Sequence, residues 1–276
     1  MLKSDVQLKL PDKETLDITV YGEERDCNKC ILIVHGFKGF KDWGFIPHTA
    51  DYLAEKGFFV LTFNFSHNGI GKHPEKFSEL DKFAKNTYSR EVFETGEMID
   101  AYLREYFCMP HFPKIGLLGH SRGGAISLLS AFNRTEVKSV ALWASIARLD
   151  RYSARQKEEW RNHGFMEVLN QRTGQMMRMN STFLDDLEIN AEKLNLENAV
   201  SNLNKPLLIL HGEQDLAVPI SEAEEIYGWA DKKNTEIFKI EATGHTFGIQ
   251  HPFEGSNDKF DIVLEKTYKF FINTLN

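Results

Sequence analysis

Short runs of consecutive apolar residues alternate along this chain with longer stretches in which apolar positions recur every three or four residues. That is the pattern of buried parallel strands separated by amphipathic helices. The uninterrupted runs fall at residues 30–34 (CILIV), 58–65 (FFVLTFNF), 115–118, 137–143 and 206–210 (PLLIL), with a further strand at 235–240. Helices are predicted at 49–56, closed by Gly57, and at 90–107, 125–132, 221–229 and 258–275. The beginning reads differently. Residues 6–10 and 15–21 alternate apolar and polar on either side of Pro11-Asp12-Lys13-Glu14, which predicts an antiparallel hairpin with one wet face at the sheet edge. The expected fold class is therefore α/β, a mostly parallel, doubly wound sheet of about eight strands with an N-terminal antiparallel hairpin.

Two stretches interrupt the alternation. Residues 66–89 carry Gly69, Gly71, Pro74 and many charges, and read as a long loop leaving the C-terminal end of a strand. Residues 147–204 are rich in charge and amides and contain no buried-strand run, so an inserted helical cap is expected there. Both emerge at one end of the sheet and are expected to roof a binding pocket. With no repeat and no low-complexity linker, residues 1–276 are read as one domain carrying the cap.

The stretch KIGLLGHSRGGAISLLSAF, residues 114–132, concentrates the chemistry. A buried strand and an apolar helix flank Gly119-His120-Ser121-Arg122-Gly123, so the chain must turn sharply at Ser121. Such a nucleophile elbow holds the serine in a strained conformation, and glycines two before and two after remove side chains that would collide. A serine hydroxyl needs an imidazole to take its proton, and the imidazole needs a carboxylate to fix its tautomer. Asp215, just past PLLIL, is the expected acid, with Glu213 as its rival; His245, just past the strand 235–240, is the expected base, with His251 as its rival. Two amides should receive the developing oxyanion: Arg122, directly after the serine, and Phe37 in His35-Gly36-Phe37, with the His35 ring bracing that loop. The loop HGFKGFKDWGF also gathers Phe40, Trp43 and Phe45, which either line an apolar acyl pocket for aromatic or medium-length acyl groups or pack beneath the loop as core.

Composition narrows the partners. The net charge of −7 gives no general attraction to nucleic acid or to an anionic membrane, so a small-molecule ester is the expected partner, with no nucleic acid and no membrane. The first twenty residues show no leader-like apolar run, and a cytoplasmic location is expected. Three cysteines are too few for a disulfide scaffold, and Cys27 and Cys30 form a C-x-x-C read as incidental. No cofactor and no metal are expected, since no metal-binding H-E-x-x-H is present and acyl transfer needs none.

Gly119-His120-Ser121-Arg122-Gly123-Gly124, His35-Gly36-Phe37, His211-Gly212-Glu213-Gln214-Asp215 and Gly244-His245 together resemble the α/β-hydrolase superfamily over nearly the whole chain. The narrower likeness is to esterases related to cinnamoyl (feruloyl) esterases and to the catalytic domains of dipeptidyl and acylaminoacyl peptidases. It is carried by Lys38-Gly39-Phe40, by the strand end Phe63-Asn64-Phe65-Ser66-His67-Asn68-Gly69 and by the cap after Trp143. Asn64 departs from it, standing where relatives commonly have a structural aspartate. The resemblance implies the α/β-hydrolase fold and a serine hydrolase cleaving carboxylic esters through a Ser-His-Asp triad and an acyl-enzyme. The alternatives are an aminopeptidase or acylaminoacyl-type serine peptidase and a non-catalytic binding module of the same fold. Haloalkane dehalogenases and epoxide hydrolases resemble the layout but carry aspartate at the elbow, and dienelactone hydrolases carry cysteine.

Overall fold

The computed structural model describes residues 3–71, 73 and 76–276. Strands β1 (Lys3–Lys9) and β2 (Thr15–Tyr21) form the predicted hairpin, Val6 opposite Ile18. Then come β3 (Lys29–Val34), α1 (Phe45–Glu55), β4 (Phe59–Phe63), the short α2 (Leu80–Ala84) and α3 (Tyr88–Leu103). The chain continues through β5 (Lys114–His120), α4 (Arg122–Phe132) and β6 (Val137–Trp143). An insertion follows, with α5 (Ala154–His163), β7 (Phe165–Asn170), β8 (Gln175–Asn180), α6 (Thr182–Ile189) and α7 (Leu196–Ser201). The elements β9 (Leu207–Gly212), α8 (Ile220–Trp229), β10 (Thr235–Ile240) and α9 (Asp258–Thr274) complete it.

Eight strands join in the order β1-β2-β4-β3-β5-β6-β9-β10. The first two run antiparallel to their neighbours, and every pairing from β4 to β10 is parallel. Side chains alternate between the two faces, so the uninterrupted apolar runs bury both. Leu32, Leu117, Val140 and Ile209 face one core, while Ile31, Ile33, Leu118, Ala141 and Leu208 face the other, beneath α1 and α9. Because β5, β9 and β10 are parallel, the loops that leave them open at the same edge, and Ser121, Asp215 and His245 lie on those loops.

Three local expectations need correction. Helix α1 starts at Phe45 rather than at 49, because Pro47 sits in its first turn, where a missing N–H costs no helical bond. The loop expected over 66–89 contains α2 and the start of α3; its Pro74 lies outside the described residues. The insertion is not wholly helical, since β7 and β8 form an antiparallel hairpin. Met177 and Met179 are 0% and 3% exposed while Met176 and Arg178 point outward, a period of two obscured by the polar text around it. The Trp160 indole donates to the Met179 carbonyl at 2.7 Å, and Phe183 stacks on Trp160 at 5.6 Å. These residues share one apolar core with Leu117 and Leu128, so the cap is packed onto the sheet domain.

Cys27, expected to be incidental, is bonded to Cys108 with a Cα separation of 6.3 Å, and Cys30 is buried and free. The bond ties the turn before β3 to the segment after α3. Among the described residues no helix is long and apolar enough to cross a membrane.

Candidate active site

The turn between β5 and α4 is the predicted elbow. Ser121 has φ 56° and ψ −121°, a region a non-glycine residue occupies at a cost on the order of 1–3 kcal/mol. Its amide donates to the Trp143 carbonyl on β6 at 2.8 Å, and its carbonyl accepts from Gly124 at 3.0 Å, so the strained residue is held from both sides. A Cβ at Gly119 would stand 2.3 Å from the Gly123 carbonyl oxygen, and one at Gly123 would stand 2.2 Å from that of Val34. The two glycines are therefore required by contact with backbone.

Asp215 follows β9 and is 6% exposed. Its Oδ1 accepts from the Ala217 and Val218 amides, both at 2.9 Å, and its Oδ2 accepts from His245 Nδ1 at 2.7 Å. His211 Nε2 lies 3.3 Å from the same Oδ2 and also donates to the Val218 carbonyl at 2.8 Å. Burial pushes the Asp215 carboxyl up, but hydrogen bonds from His211, His245 and the Val218 amide outweigh it and hold the group well below the usual carboxylate range. An ionised carboxylate only accepts, so His245 Nδ1 carries its proton and Nε2 is the basic atom. The rival Glu213 is exposed. The other rival, His251, accepts the Gly44 amide on Nδ1 at 2.9 Å and packs on Phe40 and Trp43, which makes it a brace for the start of α1.

The loop after β3 forms the opposite wall. Residues 36–39 make a tight turn closed by Gly39 N–H to the Gly36 carbonyl at 3.0 Å, with Lys38 at φ 56°. A Cβ at Gly36 would stand 3.0 Å from Ser121 Cβ, so the glycine lets this turn lie against the serine. His35 is buried and holds the turn from below. Its Nε2 accepts the Phe65 amide at 3.4 Å, which leaves Nδ1 protonated to donate to the Gly36 carbonyl at 2.9 Å. Burial drives its pKa down to about 4. Among the described residues, neither the Phe37 amide nor the Arg122 amide has a protein acceptor. Phe37 is gripped through its ring: the Arg122 guanidinium lies 4.1 Å from its centroid, and Phe83 stacks on it at 5.6 Å. That guanidinium is also 4.7 Å from the Tyr88 ring and 5.6 Å from Phe183 of the cap, and its Nη1 is 3.4 Å from Glu91 Oε1.

Ser121 and His245 line one cavity of about 140 Å³ with Phe37, Lys38, Trp43 and His120. A larger one, about 540 Å³ between the cap and α8, contains neither residue. Of the three aromatics expected to form a substrate pocket, only Trp43 reaches the cavity. Phe40 and Phe45 are 0% and 1% exposed, Phe45 packing on Trp143 and Phe260, so these two rings are core. The expected roof also differs. No described residue of 147–204 or of the loop 66–89 lines this cavity, and the cap approaches it through Lys38 Nζ, which donates to the Leu169 carbonyl at 3.0 Å.

Sequence reasoning missed several residues. His120 Nε2 lies 3.0 Å from the His245 carbonyl, and its ring stacks near Trp43; burial first, then His245, drives its pKa to about 3, so the neutral ring donates and holds the base loop. Its only sequence signal was its place before the serine. His211 and the side chain of Arg122 left no signal beyond lying inside motifs.

The prolyl oligopeptidase family matches residues 43–276. Among proteins with curated descriptions, none matches this sequence. Solved structures are similar throughout. The esterase domain of a Rhodothermus marinus protein is 20% identical with a TM-score of 0.67, covering 100% of both chains. Est1E from Butyrivibrio proteoclasticus, solved with ferulic acid bound, is 20% identical with a TM-score of 0.75, covering 98% of this chain and 99% of its own. A monoacylglycerol lipase of Paleococcus ferrophilus is 15% identical with a TM-score of 0.69, covering 94% and 99%.

Proposed function

The chain belongs to the prolyl oligopeptidase family and has the α/β-hydrolase fold, and on that premise we propose that it hydrolyses carboxylic esters of small molecules through an acyl-enzyme on Ser121. His245 Nε2 takes the hydroxyl proton as Ser121 Oγ bonds to the ester carbonyl carbon, and the Phe37 and Arg122 amides receive the oxyanion. The protonated imidazole then returns the proton to the departing alkoxide. Water repeats the sequence and releases the acid.

The observation that carries this reading is the strained Ser121, at φ 56°, sharing a cavity with a histidine whose other nitrogen is bonded to a buried, ionised aspartate. The peptidase alternative has the family name in its favour. Against an aminopeptidase stands the charge of the cavity: among the described residues lining it, the cationic side chain is Lys38, which repels a peptide's terminal ammonium. A volume of about 140 Å³ is small beside the roughly 300–1,000 Å³ of a drug-sized pocket, which favours a short acyl group. Of the loop aromatics expected beside an aromatic or medium-length acyl group, Phe37 and Trp43 line this cavity and Phe40 and Phe45 do not. The test is hydrolysis of 4-nitrophenyl acetate by the wild type and by Ser121→Ala, with fluorophosphonate labelling of Ser121 to separate an enzyme from a binding module. A Ser121→Ala protein that kept near-wild-type turnover would overturn the mechanism.

A further inference from the structure

Resting on that ester-hydrolase reading, we propose that Lys38 is a specificity residue whose ammonium receives a carboxylate on the substrate, a few atoms from the scissile carbonyl. Lys38 directly follows Phe37 and lines the cavity that contains Ser121 and His245. Its Nζ lies 5.5 Å from the centroid of the Phe37 ring and has one hydrogen bond among the described residues, to the Leu169 carbonyl at 3.0 Å, whereas an ammonium offers three donors. No carboxylate among the described residues pairs with it. The contrast is with Lys41, three residues on, which lies 3.6 Å from Asp5 and 2.8 Å from Asp42.

The surroundings of Lys38 give its cation a ring and a carbonyl but no counter-charge among the described residues. It is half-buried, and the charged group acting on it is Arg122, of the same sign; burial first, then Arg122, lower its pKa. Its backbone is also strained, at φ 56° in the third position of a turn where glycine is favoured. A latch onto the Leu169 carbonyl does not account for the buried charge, since a neutral amide side chain would make that bond without desolvating a charge. An arriving carboxylate relieves both the burial of the charge and its repulsion by Arg122. The small cavity keeps that carboxylate near the reacting carbon, so the substrate is either the half-ester of a short dicarboxylic acid or an ester of a short hydroxy acid.

Two substrate pairs distinguish these sources: monomethyl succinate against methyl butyrate for the acyl side, and carboxymethyl acetate against propyl acetate for the alcohol side. In one pair the wild type should favour the anion in kcat/KM by about tenfold or more, the discrimination one charge-assisted hydrogen bond supplies. Lys38→Met should bring that ratio to about one, and Lys38→Arg should keep part of it, with circular dichroism checking the fold of both. A wild type that prefers the neutral ester in both pairs, or a ratio unmoved by Lys38→Met, overturns the proposal. Should no ester be turned over, the proposed function fails separately. Calorimetry with monomethyl succinate then decides for Lys38, binding to the wild type but not to Lys38→Met upholding the proposal and equal or absent binding overturning it.

Discussion

The two walls of the cavity are built by different physics. On the acid–base side, Asp215 accepts from two amides and His245, with His211 close by, and His120 holds the His245 carbonyl. Both Asp215 oxygens and the His245 Nδ1 have directional partners, and the geometry of this wall follows from those hydrogen bonds. On the oxyanion side, Phe37 is placed by ring packing against Arg122 and Phe83, and Arg122 carries that packing to Tyr88 and to Phe183 of the cap. Hydrogen bonds are steep in angle and fix a proton, whereas ring contacts tolerate small shifts. The first wall therefore sets whether the reaction runs, and the second how well and on what.

The largest effects that sharpen this contrast lie at the serine and the base. Ser121→Ala and His245→Ala should each lower kcat by about 10⁴-fold or more, and the double variant should lose little beyond either one, because the groups act as a unit. Steady-state kinetics on a short aryl ester measure this. Additive losses would show the two residues working apart.

Next comes Arg122→Met, which removes the grip on Phe37 and leaves Glu91 buried without its cation. The expected loss is about 3–5 kcal/mol in urea unfolding, the range for breaking a buried pair from one side. Burial before all else already raises the Glu91 pKa. Adding Glu91→Gln should therefore recover most of the stability while kcat stays reduced, since the Phe37 amide is still loose. Full recovery of kcat in that double variant would break the link between Arg122 and the oxyanion wall.

A smaller effect separates the walls by pH. The folded pKa of His35 is about 4, below its ordinary 6.5, so between these values the unfolded chain binds the extra proton. Its contribution is whole above 6.5 and is lost as the pH falls toward 4, by about 1.4 kcal/mol per unit at most. His120 has the same sign, with a folded value of about 3. Unfolding free energies at pH 7 and 4.5 should fall less steeply in His35→Asn than in the wild type; equal slopes would remove His35 from the account. The smallest effect is the acyl ladder. From butyryl to octanoyl and cinnamoyl esters with one leaving group, kcat/KM should drop by roughly tenfold, within the range a pocket gains or loses over a methylene. A rise toward cinnamoyl would show the oxyanion wall opening further than its packing implies.

The sequence by itself determined the order of the sheet elements and the loops bearing Ser121, Asp215 and His245. Each rests on signals confined to a short stretch: a fully buried strand must be apolar throughout, and a tight elbow must have glycine where backbone would collide. Glu213 and His251 remained rivals because adjacent positions in one loop are alike in composition, and only the folded chain leaves Glu213 in solvent and turns His251 toward Gly44. The β7–β8 hairpin was obscured for a related reason, since its inward methionines alternate with charges and carry little β signal. Tertiary structure alone decided that Phe40 and Phe45 are core while Trp43 meets the cavity, and that Cys27 finds Cys108. It alone brought Arg122 against Phe37, Tyr88 and Phe183, and left Lys38 facing the cavity without a carboxylate among the described residues. Those outcomes depend on contacts between residues distant in the chain, and burial of a ring or the field at a charge is a property of everything packed around it.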